Sequence, residues 1–172
     1  MVKYALKENT LGEDSKGCIA IVSALGVASL DDIIGHMISE GTGLTRPQAM
    51  AYFEKALSVN RITLGEEHPN TASVYNGMGM LCRLTGDYQK ALSMYKKALQ
   101  IREKTLGSDN AQTATVYNNM ALVYQLTGDY DRALSMYDES LRATIASLGD
   151  SHPDTATTYG NVGISKRRKR VI

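Results

Sequence analysis

The sequence predicts a mainly α-helical chain of stacked antiparallel helix pairs, and three observations carry that expectation. The stretch HPNTASVYNGMGMLCRLTGDYQKALSMYKKALQIREKTLG (68–107) aligns without gaps on NAQTATVYNNMALVYQLTGDYDRALSMYDESLRATIASLG (110–149), with 19 of 40 positions identical at a spacing of 42. A period of that length marks a repeat architecture. The dipeptide Leu-Gly recurs at 64–65, 106–107 and 148–149, and His68-Pro69-Asn70-Thr71-Ala72 returns as His152-Pro153-Asp154-Thr155-Ala156. Within each unit, apolar and small residues recur at helical spacing: Ala91, Leu92, Tyr95, Ala98, Leu99, and again Ala133, Leu134, Tyr137, Leu141.

Each unit divides into two helices. Helix A is expected over Thr71 to Thr85 and over Thr113 to Thr127. Gly86 and Gly128 follow, where a chain leaving a helix favours positive φ. Asp87 and Asp129 then stand as N-cap acceptors for helix B, which runs to Leu106 and Leu148 before a closing glycine. The alanines of helix B allow close approach, and its tyrosines are expected to fill the space between hairpins. A third helix A starts at Thr155 with Tyr159, Asn161, Val162 and Gly163. After Ser165 the pattern breaks into Lys166-Arg167-Arg168-Lys169-Arg170 and no second helix follows. Because solenoids usually end in a polar capping helix, a truncated or rearranged gene product is expected.

Residues 1–60 differ in texture. Val2, Tyr4 and Leu6 alternate with polar residues as in a short strand, and Cys18 to Val22 is an apolar run that suits a second. Ser29-Leu30-Asp31-Asp32 opens an amphipathic helix through Ile33, Ile34, Met37 and Ile38, broken by Gly41-Thr42-Gly43. Thr45-Arg46-Pro47-Gln48 reads as a capping box for a helix carrying Ala49, Met50, Phe53, Ala56 and Leu57. Ala49, Phe53 and Ala56 lie 42 residues before Ala91, Tyr95 and Ala98, so this helix also fits helix B of a first half-repeat. The expected division is therefore 1–45, a shared helix in 46–67, repeats at 68–109 and 110–151, and a partial third repeat with its basic tail at 152–172.

Two resemblances follow from these motifs. The pattern Tyr75, Met78-Gly79, Cys82, Gly86, Ala91, Tyr95, Ala98, repeated as Tyr117, Met120-Ala121, Tyr124, Gly128, Ala133, Tyr137, Ser140, resembles the tetratricopeptide signature. The 42-residue period with TGDY and a closing Leu-Gly is similar to the kinesin light chain type. VKYALKEN followed by SLDDIIGHMISEGTGLTRPQAMAYFEKAL resembles the start of bacterial HU-like DNA-binding proteins of the Bacteroidetes type, over about the first 57 residues. That second resemblance implies a small α+β segment before the solenoid. The sheet and arms that grip DNA in such proteins have no counterpart here, because the repeats begin instead.

Composition narrows the function classes. The 172 residues are 43% hydrophobic and 22% charged, enough for a core and for solubility. The net charge of +1 is uneven: residues 1–65 carry −1, residues 66–165 carry −3, and the tail Lys166 to Arg170 carries +5. A mildly acidic body does not suit a surface laid along phosphates. The tail reads as a solvated end, a remnant of truncation, or a short nuclear-import or nucleic-acid patch. No apolar run is long enough to span a membrane, no leader-like start is present, and Cys18 and Cys82 make no disulfide framework, so an intracellular, cytoplasmic site is expected.

Chemistry is sparse. His68 and His152 occupy equivalent loop positions where the middle unit has Asn110, which reads as a polar residue before a helix rather than a metal ligand. Cys82 stands where the next unit has Tyr124 and reads as a core thiol. Gly77-Met78-Gly79 lies inside a helix and is no phosphate loop. Met78, Met80, Met94, Met120 and Met136 recur in phase as core filler. No catalytic set or cofactor is expected.

The leading expectation is a non-enzymatic protein–protein interaction module that takes a peptide or partner domain on the face lined by helix A. The kinesin light chain resemblance implies an extended peptide whose backbone is held by helix A asparagines. Position by position these are Asn76 and Asn118, then Asn119 and Asn161, with Arg83 and Gln125 further along the same face to read side chains or a carboxylate. The other reading is that the asparagines only cap or solvate helix A. The alternative functions are an HU-like DNA-binding protein and an inactive fragment of a larger repeat protein.

Overall fold

The computed structural model describes residues 46–170. They form six helices and no strand: α1 (Arg46–Thr63), α2 (Pro69–Leu84), α3 (Tyr88–Leu106), α4 (Ala111–Leu126), α5 (Tyr130–Leu148) and α6 (Pro153–Lys169). The HU-like segment, its strands and its first helix lie outside the described residues.

The expected helix A starts are too late by two residues. Each A helix is capped from the loop before it: the Asn70 N–H donates to His68 Nδ1 at 3.1 Å, that of Gln112 to Asn110 Oδ1 at 2.8 Å, and that of Asp154 to His152 Nδ1 at 3.2 Å. Pro69 and Pro153 fit behind the two histidines because the first turn needs no N–H from them. The threonines taken as helix starts do a different task. Thr71, Thr113 and Thr155 are wholly buried and donate their hydroxyls to the carbonyls of Gly65, Gly107 and Gly149 at 2.8–2.9 Å. Each of these bonds ties the first turn of an A helix to the glycine that closes the preceding B helix.

The turn inside each hairpin follows the sequence. Gly86 and Gly128 take φ of 81° and 82°, left-handed values that favour glycine. Asp87 and Asp129 then accept the N–H of Lys90 and Arg132 at 3.1 and 3.0 Å, capping α3 and α5.

Packing is set by small residues opposite large ones. Ala91, Ala98 and Ala133 are fully buried, as are the rings of Tyr95 and Tyr137. Tyr95 packs closely against α2 of its own hairpin: a Cβ placed on Gly79 would lie 2.6 Å from its ring. Cys82 is 2% exposed, and burial raises its thiol pKa above the ordinary value, as suits a core thiol. At the amino-terminal end α1 packs on α2, with Phe53 in the common core. At the other end α6 packs on α5, burying Val162 and Ser165, and its helix continues through Lys166, Arg167, Arg168 and Lys169. Those four cations occupy the last turn, where they oppose the negative end of the helix dipole.

Candidate binding face of the A helices

Helices α2, α4 and α6 are the three A helices, and the 42-residue period puts equivalent residues of each in rows that cross all three. The first of these rows is polar. The carboxamide of Asn119 donates to Asn76 Oδ1 at 3.1 Å, and that of Asn161 donates to Asn118 Oδ1 at 3.1 Å. The two bonds are copies of each other, one joining α2 to α4 and the other α4 to α6. Four of the six expected site residues thus come together, but as two amide rungs between helices. Asn76 is 1% exposed, beyond the reach of a ligand. Asn118, Asn119 and Asn161 are half-buried.

One turn further along lies a row the sequence reading missed as a site. Met80, Leu122 and Ile164 each follow the first asparagine position by four residues and so share its face. Met80 and Leu122 are half-buried, and Ile164 is 38% exposed. Leu84 and Leu126, another four residues on, are 44% and 49% exposed. Aliphatic residues at period 42 that remain accessible were the available signal; Met80 was instead grouped with the core methionines.

The remaining two expected residues lie at this carboxyl-terminal end and differ in their surroundings. Gln125 Oε1 accepts from the Tyr137 hydroxyl at 3.1 Å and from the Ser165 hydroxyl at 2.8 Å, so it ties α4 to α5 and α6. Burial pushes the Tyr137 hydroxyl up to about 12, against the opposing pull of the Arg168 and Arg83 charges. Arg83 is half-buried, and its Nε is enclosed without a hydrogen-bond partner. In α6 the corresponding row is basic and exposed, with Arg167 and Arg168 in place of Gln125 and Leu126. None of the residues in these rows is aromatic.

Among the described residues no group of histidine, cysteine and carboxylate side chains is placed to hold a metal ion. None of the described helices is long and apolar enough to cross a membrane. Shallow depressions elsewhere, one on α1 beside Glu54, Leu57 and Arg61, and one beside Gly128, Asp129 and Lys169, lack the repeated rows.

Comparison with known proteins agrees with this architecture. The crystal structure of BtubC (BKLC) from P. vanneervenii superimposes with a TM-score of 0.70 at 24% identity, over 81% of this chain and 54% of that one. This chain therefore spans about half the length of that protein. A Podosopora anserina protein, described as a kinesin light chain with nearly identical TPR-like repeats, superimposes with a TM-score of 0.70 at 18% identity, over 86% of this chain and 67% of that one. No curated protein matches the sequence. Residues 46–104 and 112–170 both match the sequence profile of the tetratricopeptide repeat, and the chain belongs to that family.

Proposed function

We propose that the chain is a non-enzymatic interaction module that binds a peptide or a segment of a partner protein across the A helices α2, α4 and α6. The observation that carries this reading is the pair of accessible aliphatic rows, Met80, Leu122, Ile164 and Leu84, Leu126, running beside the asparagine rungs on one continuous face. A core position would have closed over such residues. Large apolar side chains left accessible in register, rimmed by polar groups, mark an interaction surface. Asn118, Asn119, Asn161, Arg83 and Gln125 supply the polar rim, with Asn76 beneath it.

Selection of random peptide display libraries, both linear and helix-stabilised, on the full chain tests the reading. Binders are expected to lose at least tenfold in affinity with Leu122→Lys and to be unaffected by Ser93→Lys on the exposed side of α3. Failure to select any binder, or binders that respond to the α3 change and not to Leu122→Lys, would reject this face.

A further inference from the structure

Resting on that reading, we infer that the occupant of the A-helix face is an amphipathic α-helix rather than an extended chain, its apolar stripe on Met80, Leu122 and Ile164 and its carboxyl-terminal end towards α6.

The inference starts from what the face offers. An extended peptide needs partners for its own N–H and C=O groups, since each residue brings one of each. The amides of this face are joined to one another across the helices, Asn119 to Asn76 and Asn161 to Asn118, so part of their hydrogen-bonding capacity is spent between helices, and Asn76 is sealed beneath the surface. The Oε1 of Gln125 is engaged by Tyr137 and Ser165. A helix satisfies its backbone internally and asks only for apolar contact. Beside the amides the face offers Met80, Leu84, Leu122, Leu126 and Ile164, aliphatic side chains that are half-buried or exposed.

Spacing points the same way. Neighbouring packed helices lie roughly 8–10 Å apart, so the row from Met80 to Leu122 to Ile164 has a step of about that length. Two turns of an α-helix advance about 10.8 Å, so side chains at i, i+7 and i+14 of a crossing helix meet the three residues in turn. A β-strand covers the same step in about three residues, and residues three apart point to opposite faces. An extended strand therefore cannot place an apolar side chain on each member of the row. A polyproline helix has a compatible rise of about 3.1 Å and three residues per turn, but grooves that take it are lined by aromatic rings, and these rows contain none.

Charge sets the direction. At α6 the leucine position becomes Arg168, beside Lys166, Arg167 and Lys169 in the same last turn. A helix carries a partial negative charge at its carboxyl-terminal end, so that end is favoured over α6.

The test uses two display libraries selected on the full chain. One is an 18-residue Ala/Glu/Lys/Gln helical scaffold with positions i, i+3, i+7, i+11 and i+14 randomised; the other is linear and unconstrained. The expected result is enrichment from the helical scaffold of large aliphatic residues at i, i+7 and i+14. The best peptide should gain helicity on binding by circular dichroism. It should lose at least tenfold in affinity with a central proline, with Leu122→Lys, and with Leu126→Lys, whose half-exposed position keeps the fold intact. A spin label on the peptide's last residue should approach a label at Ser151→Cys, before α6, more closely than one at Glu66→Cys, before α2. If linear peptides dominate, bind without gaining helicity and tolerate proline, the helical occupant is wrong while the binding face stands. If the label distances are reversed, the direction is wrong. If neither library yields a binder sensitive to Leu122→Lys, the reading of the face itself falls.

Discussion

The two hairpins share nearly half their residues, yet the junctions that follow them are fastened differently. At the first junction the buried guanidinium of Arg102 in α3 donates to the Gln112 carbonyl of α4 and to the Ser73 hydroxyl of α2, so one side chain ties three helices. The equivalent residue in α5 is Thr144, whose hydroxyl turns back to the Ser140 carbonyl of its own helix at 2.7 Å. The second junction is closed at the opposite end of the A helices, where Gln125 gathers Tyr137 and Ser165 from α5 and α6. The first junction has Arg83, Tyr95 and Val123 at those positions. The asparagine rung and the threonine-to-glycine bond at the start of each A helix are common to both. The shared residues therefore build the hairpin and its step, while the stacking bond is chosen locally, one junction at a time.

Arg102→Ala should break this comparison most severely. It removes the bonds to the Gln112 carbonyl and the Ser73 hydroxyl and opens a cavity where a long side chain was 6% exposed. The expected loss is about 2–3 kcal/mol, from a charge-assisted hydrogen bond plus lost packing. Chemical denaturation should show it as a lower midpoint. Thr144→Ala at the same register should lose less than about 1 kcal/mol, because only a bond within one helix disappears. Equal losses would mean that the first junction does not depend on Arg102.

A second contrast concerns a single methyl group. Gly79 in α2 and Ala121 in α4 hold the same register position against Tyr95 and Tyr137. In α2 an added Cβ would come to 2.6 Å from the Tyr95 ring, which is itself fully buried and has nowhere to move. Gly79→Ala should therefore destabilise by about 1–2 kcal/mol despite alanine's better helix propensity, since overpacking outweighs it. Ala121→Gly should also destabilise, by about 1 kcal/mol, through helix propensity. Thermal melts of the two variants check it, and a gain for Gly79→Ala would show that the Tyr95 ring can shift after all.

Much of this was legible in the sequence and some was not, for physical reasons. The 42-residue period could be read because it recurs letter by letter along the chain, and the glycine turns and the Asp87 and Asp129 caps because they are local, each depending on residues within one turn. The A helix starts were misplaced because threonine suits an N-cap equally well, and only the fold reveals Thr71 bonded across a turn to Gly65. The asparagines stood out in the sequence by their recurring phase, but the bonds they make reach 43 residues away, to the next A helix. The aliphatic row was hidden because Met80 and Leu122 sit on the core side of any simple hydrophobic pattern. Accessibility, not residue type, separates them from Met78 and Met120.

Ser165 sharpens the comparison at the second junction. Ser165→Val recreates the residue found at the first junction, Val123, and removes one of the two donors to Gln125. Tyr137 still reaches Gln125, so no buried acceptor is stranded. The expected loss is about 1 kcal/mol, the net value of one hydrogen bond. It should appear as faster amide exchange confined to α6. Exchange that quickens throughout α4 and α5 as well would mean that the Gln125 cluster holds the whole hairpin rather than its junction.

The smallest effects should come from the three caps that begin the A helices. His68, Asn110 and His152 each accept the backbone N–H two residues on, at 3.1, 2.8 and 3.2 Å. Each alanine replacement removes one acceptor from a first turn and should lose about 0.5–1 kcal/mol. The bond is shortest at Asn110, and Asn110→Ala should sit at the upper end of that range. Thermal melts of the three alanine variants check the order. A loss at Asn110→Ala no larger than at His68→Ala or His152→Ala would show that the length of the capping bond does not set its worth.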